Sequence, residues 1–560
     1  MPGGLIQLVG MGAQNQFVNG NPSMTYFSVM YKRFTNFAME HFQLNFRGTD
    51  LNLSPTLPKV LRCKVPRYAD LLHDCYICVN LPDIYSPLSI NTNGTSATAY
   101  EFQWIPNIGY NMIDTITLNM NGTSIVTMTG EWMKLYTYLK YNATQRRIID
   151  EMVGNTPNMY DPANGAGRTN QYPNAIQLPG GLTPAPSIPG RQLNIPLSFW
   201  FCQEIGQSLP LVALTESEVE IVVTFRTIYD LFTVIDVRNT SPTYGQRIPG
   251  IPQDNVLGMQ NFLSPPLVNG DPSQTALQNW NLNPYVEANF IFLTETERAH
   301  VAGYEKTFLI TQPRWVATPK QYGYNDILIP MFNLCTRVVA VFQRTDLALN
   351  NQWDNYTNWT NARIPQIDQT GVPIGPLVFY TSGVNTPTTQ LAQDILQEGH
   401  LVFDGADRFD TKNTNFFRLI ENFQYSGGDT TSLPGIYQYS FALDPNDITQ
   451  PSGAANGSMF NKTNLQYTLR VPPVTSVGTQ TGQCVVKSTV FNPVPTPVPT
   501  TATIPPAPGL PANYQPGDTL YITNPIDNNG MPYQYNGIIY VEAYNFLKVT
   551  SGQANLVFST

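Results

Sequence analysis

At 560 residues the chain exceeds what one hydrophobic core usually serves, so two domains of similar size are expected. Charged residues make up only 12%, against about 25% in an average globular protein, while aromatics reach 12% and the chain holds 40 Gly and 47 Pro. That mixture disfavours exposed helices and predicts a mainly β protein. The formal net charge of −9 comes without any run of Lys or Arg able to follow a phosphate backbone, which excludes direct nucleic-acid packaging.

Residues 1–26 read as a separate arm, with GGLIQLVGMGAQ as a short apolar patch and VNGNPS as a turn. Leu5, Ile6, Leu8 and Val9 make the tail unusually apolar, which favours docking on a neighbouring surface. The N-terminus lacks the charged and long apolar regions of a signal peptide, Pro2 excludes myristoylation, and no apolar run reaches bilayer length. A soluble, unsecreted chain with at most indirect membrane contact is expected.

From about Asn36 the pattern becomes β. FAMEHFQLNF, KVLRCKVP and DLLHDCYICVNL are strand-length runs bounded by Gly, Pro, Asn or Asp. MIDTITLNM and SIVTM follow, joined at Asn121-Gly122, a strong hairpin signal. The spacing of apolar residues predicts a helix over 130–154. QLNIPLSFWF, SEVEIVVTFR and YVEANFIFL bring the first half to eight strands, the number in a jelly roll. The second half, from Gly303, repeats the scheme with KTFLITQPRW, DILIPMF, TRVVAVFQR, HLVFDG, GIYQYSFAL, NLQYTLRV and NGIIYVEAYNFLKV. Tyr285-Val286-Glu287-Ala288 recurs as Tyr540-Val541-Glu542-Ala543 on the last strand of each half, which points to a duplicated domain.

Long polar spans near 82–110, 128–190, 227–283, 344–395 and 471–535 separate the strands. In a jelly roll with strands B to I, the D–E, F–G and H–I loops leave from one end, so these spans should form a crown on one face, where loop function concentrates. Within it, residues 491–511 read as a polyproline-like spacer.

The chemistry-bearing residues offer little. Six scattered cysteines suggest reducing conditions, and the Cys75/Cys78 pair lies in a predicted strand, where residues three apart face opposite ways. His41, His73, His300 and His400 sit in no catalytic or zinc motif. Asp404, Asp407 and Asp410 are the closest to a glycosidase acid pair, but Gly405 beside them and Arg408 as an ionic partner suit a structural turn better. Nine N-x-S/T triplets, from Asn52 to Asn461, follow from an Asn- and Thr-rich composition.

The opening carries Gly3-Gly4-Leu5, Gly12-Ala13-Gln14, Gly20-Asn21-Pro22 and Tyr31 to Ala38 in order, and closely resembles the N-terminus of major capsid proteins of large nucleocytoplasmic DNA viruses. The resemblance continues through 209–225, 290–298, 407–417, 435–445 and 540–558, and departs from shorter members in the loops 143–190, 227–283 and 471–535. It implies an all-β fold of two consecutive eight-stranded jelly-roll β-sandwiches, with an arm (1–26), a first jelly roll (27–302) and a second (303–560). It implies no enzyme activity and no cofactor, but a homotrimer of pseudo-hexagonal outline, tiling an icosahedral shell with neighbouring capsomers. Minor capsid and penton proteins would be further partners, with glycans or fibres on the outside, in a virion assembled in the host cytoplasm. Leu5, Ile6, Leu8, Val9, Gln14 and Asn21 would face the minor capsid proteins on the inner side. A β-sandwich lectin or glycosidase is the rival reading, and it has no use for such an arm.

Overall fold

The computed structural model describes every residue except 1–2, 30, 87–88, 91–96, 99–100, 169–171, 174, 176–184, 236–246, 253–256, 265–279, 304, 359–365, 368–372, 375–393, 473–482, 488–518, 524–532 and 559–560. The polyproline-like span 491–511 therefore lies outside the described residues.

All eight strand expectations of the first half fall on strands: β1 Phe37–Asn45, β2 Lys59–Val65, β3 Leu71–Leu81, β4 Ile113–Met120, β5 Thr123–Thr129, β6 Arg191–Pro196, β7 Val219–Phe225 and β8 Tyr285–Leu293. Period-two patterning sets their faces. In β7 the buried residues are Val219, Ile221, Val223 and Phe225, with half-buried residues between them. The strands form two four-stranded antiparallel sheets in the orders β1-β8-β3-β6 and β2-β7-β4-β5. Asn121 (φ 53°) and Gly122 (φ 80°) both take left-handed conformations in the β4–β5 turn, as a tight hairpin requires.

The second half contributes β9 Lys306–Gln321, β10 Gly323–Leu328, β11 Leu334–Arg344, β12 Leu396–Phe403, β13 Ala406–Asp407, β14 Tyr437–Ser440, β15 Thr463–Leu469 and β16 Tyr535–Thr550. Its sheets run β9-β16-β11-β14 and β10-β15-β12-β13, so adding eight to each strand number of the first sandwich reproduces the second. Short strands at Ala455–Asn456 and Gln553–Leu556 extend the former, and Lys412–Asn413 pairs with β12 beyond β13. The repeated tetrapeptide holds equivalent places. Ala288 pairs with Cys75 on β3, and Ala543 pairs with Cys335 on β11.

Three expectations need correction. The helix over 130–154 is two helices, α1 Gly130–Lys140 and α2 Ala143–Val153. Asn142 starts a new N-terminus between them, its side chain accepting the Thr144 and Gln145 N–H groups, and Gly154 (φ 76°) closes α2. The run QLNIPLSFWF is a strand only to Pro196, and Trp200–Cys202 forms a 3-10 turn. The strand unaccounted for in the second half is β13, only two residues long, and it falls in the Asp-rich segment read as a turn.

The crown loops share one end by topology, and hydrogen bonds align the two sandwiches. Asn351 Nδ2 donates to the Tyr229 and Phe232 carbonyls (2.7 and 3.0 Å), joining the β11–β12 loop to the β7–β8 loop. At the opposite end Glu216 N–H donates to the Gly552 carbonyl (3.0 Å) and Gln207 Nε2 to the Ile448 carbonyl (3.0 Å). Part of the crown is more ordered than its polar composition suggests. Phe102–Trp104, Phe232–Ile235 and Arg247–Pro249 form a further three-stranded sheet over stacked Phe102 and Phe232, with centroids 4.8 Å apart.

The β9-β16-β11-β14 sheet is covered on both faces. Val338, Ala340, Phe342, Ile539 and Val541 belong to the core of the second sandwich, whereas Val339, Val341, Tyr540 and Leu547 join the core cluster of the first. Double coverage explains why β11 and β16 read as nearly continuous apolar runs instead of alternating ones.

Candidate functional site

The seam between the sandwiches is built around α1, which the β5–β6 connection presents to the second half. Thr129, the last residue of β5, caps α1 by accepting the Trp132 N–H (3.0 Å). Its first turn carries Glu131, whose carboxylate accepts the hydroxyls of Tyr356 and Tyr540, each at 2.8 Å. One turn on, Lys134 is buried and pairs with Asp354 on the β11–β12 loop at 2.5 Å. Asp354 also accepts from Asn111 (2.7 Å) and Asn107 (2.6 Å), and Asn107 accepts from Arg146 of α2 (2.7 Å). Both oxygens of Asp354 are thus satisfied, which is the condition under which a buried charge is tolerated.

A second buried pair lies across β11 and β16. Arg337 is 2.6 Å from Glu542, both almost fully buried, and Arg337 lies over the rings of Trp132 and Tyr136 on α1 at 5.7 and 5.4 Å. Burial raises the Glu542 carboxyl and the neighbouring Arg337 opposes that rise. Burial, then the same guanidinium, lowers Lys140 at the end of α1. Gln312 on β9 donates to the Ile125 carbonyl on β5 (2.5 Å), so strand and helix together join the two halves.

The helical spacing places Glu131 and Lys134 on α1 as charges set between its apolar residues. Lys134 is nevertheless buried and Glu131 half-buried, because the pattern of one helix does not reveal a second sandwich on its polar side. The one legible trace was Glu542 in the repeated tetrapeptide, a carboxylate inside an otherwise apolar strand.

The arm is exposed along its length. Leu5, Ile6, Leu8 and Val9 share the helix Gly3–Val9, with Val9 80% exposed, and Gln14 and Asn21 are exposed in the turns that follow. Phe17, Tyr26, Phe27 and Tyr31 are each at least 85% exposed, and no charged side chain precedes Lys32. Because β1 begins at the end opposite the crown, the arm leaves from that end.

The enzyme-like residues come apart. Asp404 (φ 49°) and Gly405 (φ 84°) make the β12–β13 hairpin, and Asp404 accepts the Lys462 N–H (2.8 Å). The Asp407 carboxylate lies 3.7 Å from His400 Nε2, and no ion pair with Arg408 forms among the described residues. Cys75 is in the core while Cys78 faces the other way toward Asn194 (3.2 Å). Among the described residues no group of His, Cys, Asp or Glu is placed to hold a metal. His73 Nδ1 is 2.5 Å from the Phe201 carbonyl, a contact that ties the 3-10 turn Trp200–Cys202 to β3. A cavity of about 30 Å³ between the sheets of the second sandwich, lined by Val338, Phe342, Leu401, Leu465 and Tyr467 among others, is a packing gap.

Comparison with known proteins agrees with this picture of a rigid double sandwich. Residues 25–263 match the family described as major capsid protein N-terminus, and residues 297–492 the large eukaryotic DNA virus major capsid protein family. Probable capsid protein 4 of Acanthamoeba polyphaga mimivirus is 31% identical over 538 residues, covering 84% of this chain and 93% of that protein. The major capsid protein of Phaeocystis pouchetii virus is 26% identical over 541 residues, covering 86% and 95%. In fold, the Faustovirus major capsid protein aligns with a TM-score of 0.60 at 12% identity over 96% of both chains. A chain of the PBCV-1 capsid aligns with 0.57 at 19% identity over 96% of this chain and 100% of that one. These relatives are structural proteins and not enzymes, and with 31% identity across most of its length the chain belongs to the major capsid proteins of large eukaryotic DNA viruses.

Proposed function

We propose that three copies of this chain form a capsomer of pseudo-hexagonal outline that tiles an icosahedral shell. The observation that carries the reading is the repetition of one strand order in two sandwiches standing parallel, joined by a buried seam. Six similar sandwiches from three chains approximate a six-sided tile, which packs edge to edge without requiring six identical subunits. The working units are the arm 1–26, the first sandwich 27–302 and the second 303–560.

The crown end faces outward, where loops vary and glycans or fibres attach without disturbing lateral contacts. The arm lies on the inner side and contacts minor capsid proteins through Leu5, Ile6, Leu8, Val9, Gln14 and Asn21, so that any internal membrane is reached indirectly. Penton proteins complete the vertices, and assembly takes place in the host cytoplasm. Light scattering on the purified protein tests the tile directly. A trimer of 62.4 kDa chains, about 187 kDa in total, with a three-fold crown in negative stain supports it, and a stable monomer overturns it.

A further inference from the structure

The repeat that builds the two sandwiches also repeats the parts of the seam, but only one set closes within the chain. α1 begins directly after β5, whose last residue, Thr129, caps it by accepting the Trp132 N–H (3.0 Å). In the second sandwich a helix begins directly after the strand Lys412–Asn413 and runs through Phe416–Ile420 and Glu421–Tyr425. Its cap is the same device, with Asn413 Oδ1 accepting the Phe416 N–H (3.2 Å) from three residues on. Counted from the caps, Phe416, Leu419, Ile420 and Phe423 stand where Trp132, Leu135, Tyr136 and Leu139 stand on α1. The four α1 residues are buried, whereas Leu419, Ile420 and Phe423 are 47, 48 and 90% exposed.

The face that receives the helix is repeated too. On the second sandwich α1 lies against Tyr540 of β16 and Arg337 of β11, with the Trp132 and Tyr540 rings 5.1 Å apart and Glu542 beside Arg337. The repeated tetrapeptide puts Tyr285 and Glu287 of β8 in the places of Tyr540 and Glu542. Their partners on β3, Cys78 and Tyr76, take the places of Val339 and Arg337. Tyr76, Tyr285 and Glu287 are only half-buried. On β1 of the same sheet Gln43 pairs with Glu287, and a period of two puts the exposed Phe37 and Met39 on the same side.

We propose that the helix through Phe416–Ile420 and Glu421–Tyr425 of one copy docks on the outward face of the β1-β8-β3-β6 sheet of a second copy. The contact between chains then repeats the seam within each. This rests on the capsomer proposed above and assigns the surfaces that hold it together. Phe416 and Ile420 lie over Tyr285 and Tyr76, as Trp132 and Tyr136 lie over Tyr540 and Arg337, and burial of Phe423 and its apolar neighbours drives the contact. Tyr76 in the place of Arg337 means that no guanidinium has to be desolvated when chains meet. The helix and the face belong to different sandwiches of one chain, so the contact is head-to-tail and each copy offers one of each. A ring closes on the third copy because the step from sandwich to sandwich is alike within and between chains.

The test is hydroxyl-radical footprinting of the full-length natural protein, with light scattering on the same sample and on Ile420→Asp/Phe423→Asp. In the trimer Phe423 should be oxidised several-fold more slowly than in the urea-denatured chain, although it is 90% exposed in a single folded chain. Neither substituted residue belongs to a core, so the double variant should give monomers with the natural circular dichroism, in which Tyr285 is oxidised several-fold faster than in the trimer. A trimer in which Phe423 reacts as fast as in the denatured chain overturns this docking and leaves the capsomer intact. So does a double variant that stays trimeric, or monomers in which Tyr285 is no more reactive than in the trimer. A natural protein that is monomeric overturns the docking and the capsomer together. The Phe423 rate needs only the natural chain, so it remains decisive if the double variant fails to fold.

Discussion

Arg337 and Glu542 show why single residues in the seam matter more than their number. Neither contacts water, so removing one strands the other as an unpaired buried charge. Arg337→Ala should lower stability by about 3–5 kcal/mol, whereas Arg337→Met combined with Glu542→Leu should recover most of that loss, both read by urea denaturation. Glu421 makes a different case, since burial pushes its carboxyl up to about 6 from 4.5 while the Ser440 N–H opposes the rise. A carboxyl raised in the folded state binds its proton more tightly there than in the unfolded chain. Its penalty is therefore absent below pH 4.5 and develops fully as pH rises through 6. Glu421→Gln should stabilise the protein by about 2 kcal/mol at pH 7.5 and not at pH 4. Equal effects at both pH values would show that the carboxyl titrates normally.

At the scale of elements, two short devices position long ones. Asn142 restarts the chain between α1 and α2, so Asn142→Ala should cost about 1 kcal/mol and fray the start of α2, measurable by hydrogen exchange over 143–146. Gly552 (φ 81°) turns the chain from β16 back along Gln553–Leu556, and a Cβ there would meet Thr215 and Glu216 of the first sandwich. Gly552→Val should therefore cost about 1–3 kcal/mol by denaturant midpoint. Both devices are hard to foresee, since the spacing over 130–154 reads as one helix and nothing marks a strand after β16. Strands such as β7 were legible because water on one side and core on the other write a period of two into the residues. β13 was not, since two residues carry no period. The charges of α1 misled for a related reason, as a helix face that looks polar becomes interior once β16 covers it. The arm was legible as an arm because apolar residues preceded any strand, and its inner-face contacts belong to partners that one chain's sequence does not describe.

For the whole molecule, the two ends should behave independently. Deleting residues 1–26 removes exposed surface and no core residue, so light scattering should still find three chains in the proposed capsomer, each lighter by the arm, while shell assembly is impaired. Loss of the trimer would mean that the arm holds copies together. Limited proteolysis within 491–511 should leave the trimer intact, and dissociation after one cut would show that this span is structural.

The place of β16 has a consequence for synthesis. It leaves the ribosome long after β9 and β11, yet it lies between them and supplies Tyr540 and Leu547 to the core shared with the first sandwich. The first sandwich can close while the rest is being made, but the second remains split until β16 arrives. A chain terminated before β16 lacks the strand that joins its halves, so it never acquires the double sandwich. The presence of β16 is thereby checked by geometry before a subunit can take its place in a capsid, with no separate inspector to reject chains that lack it.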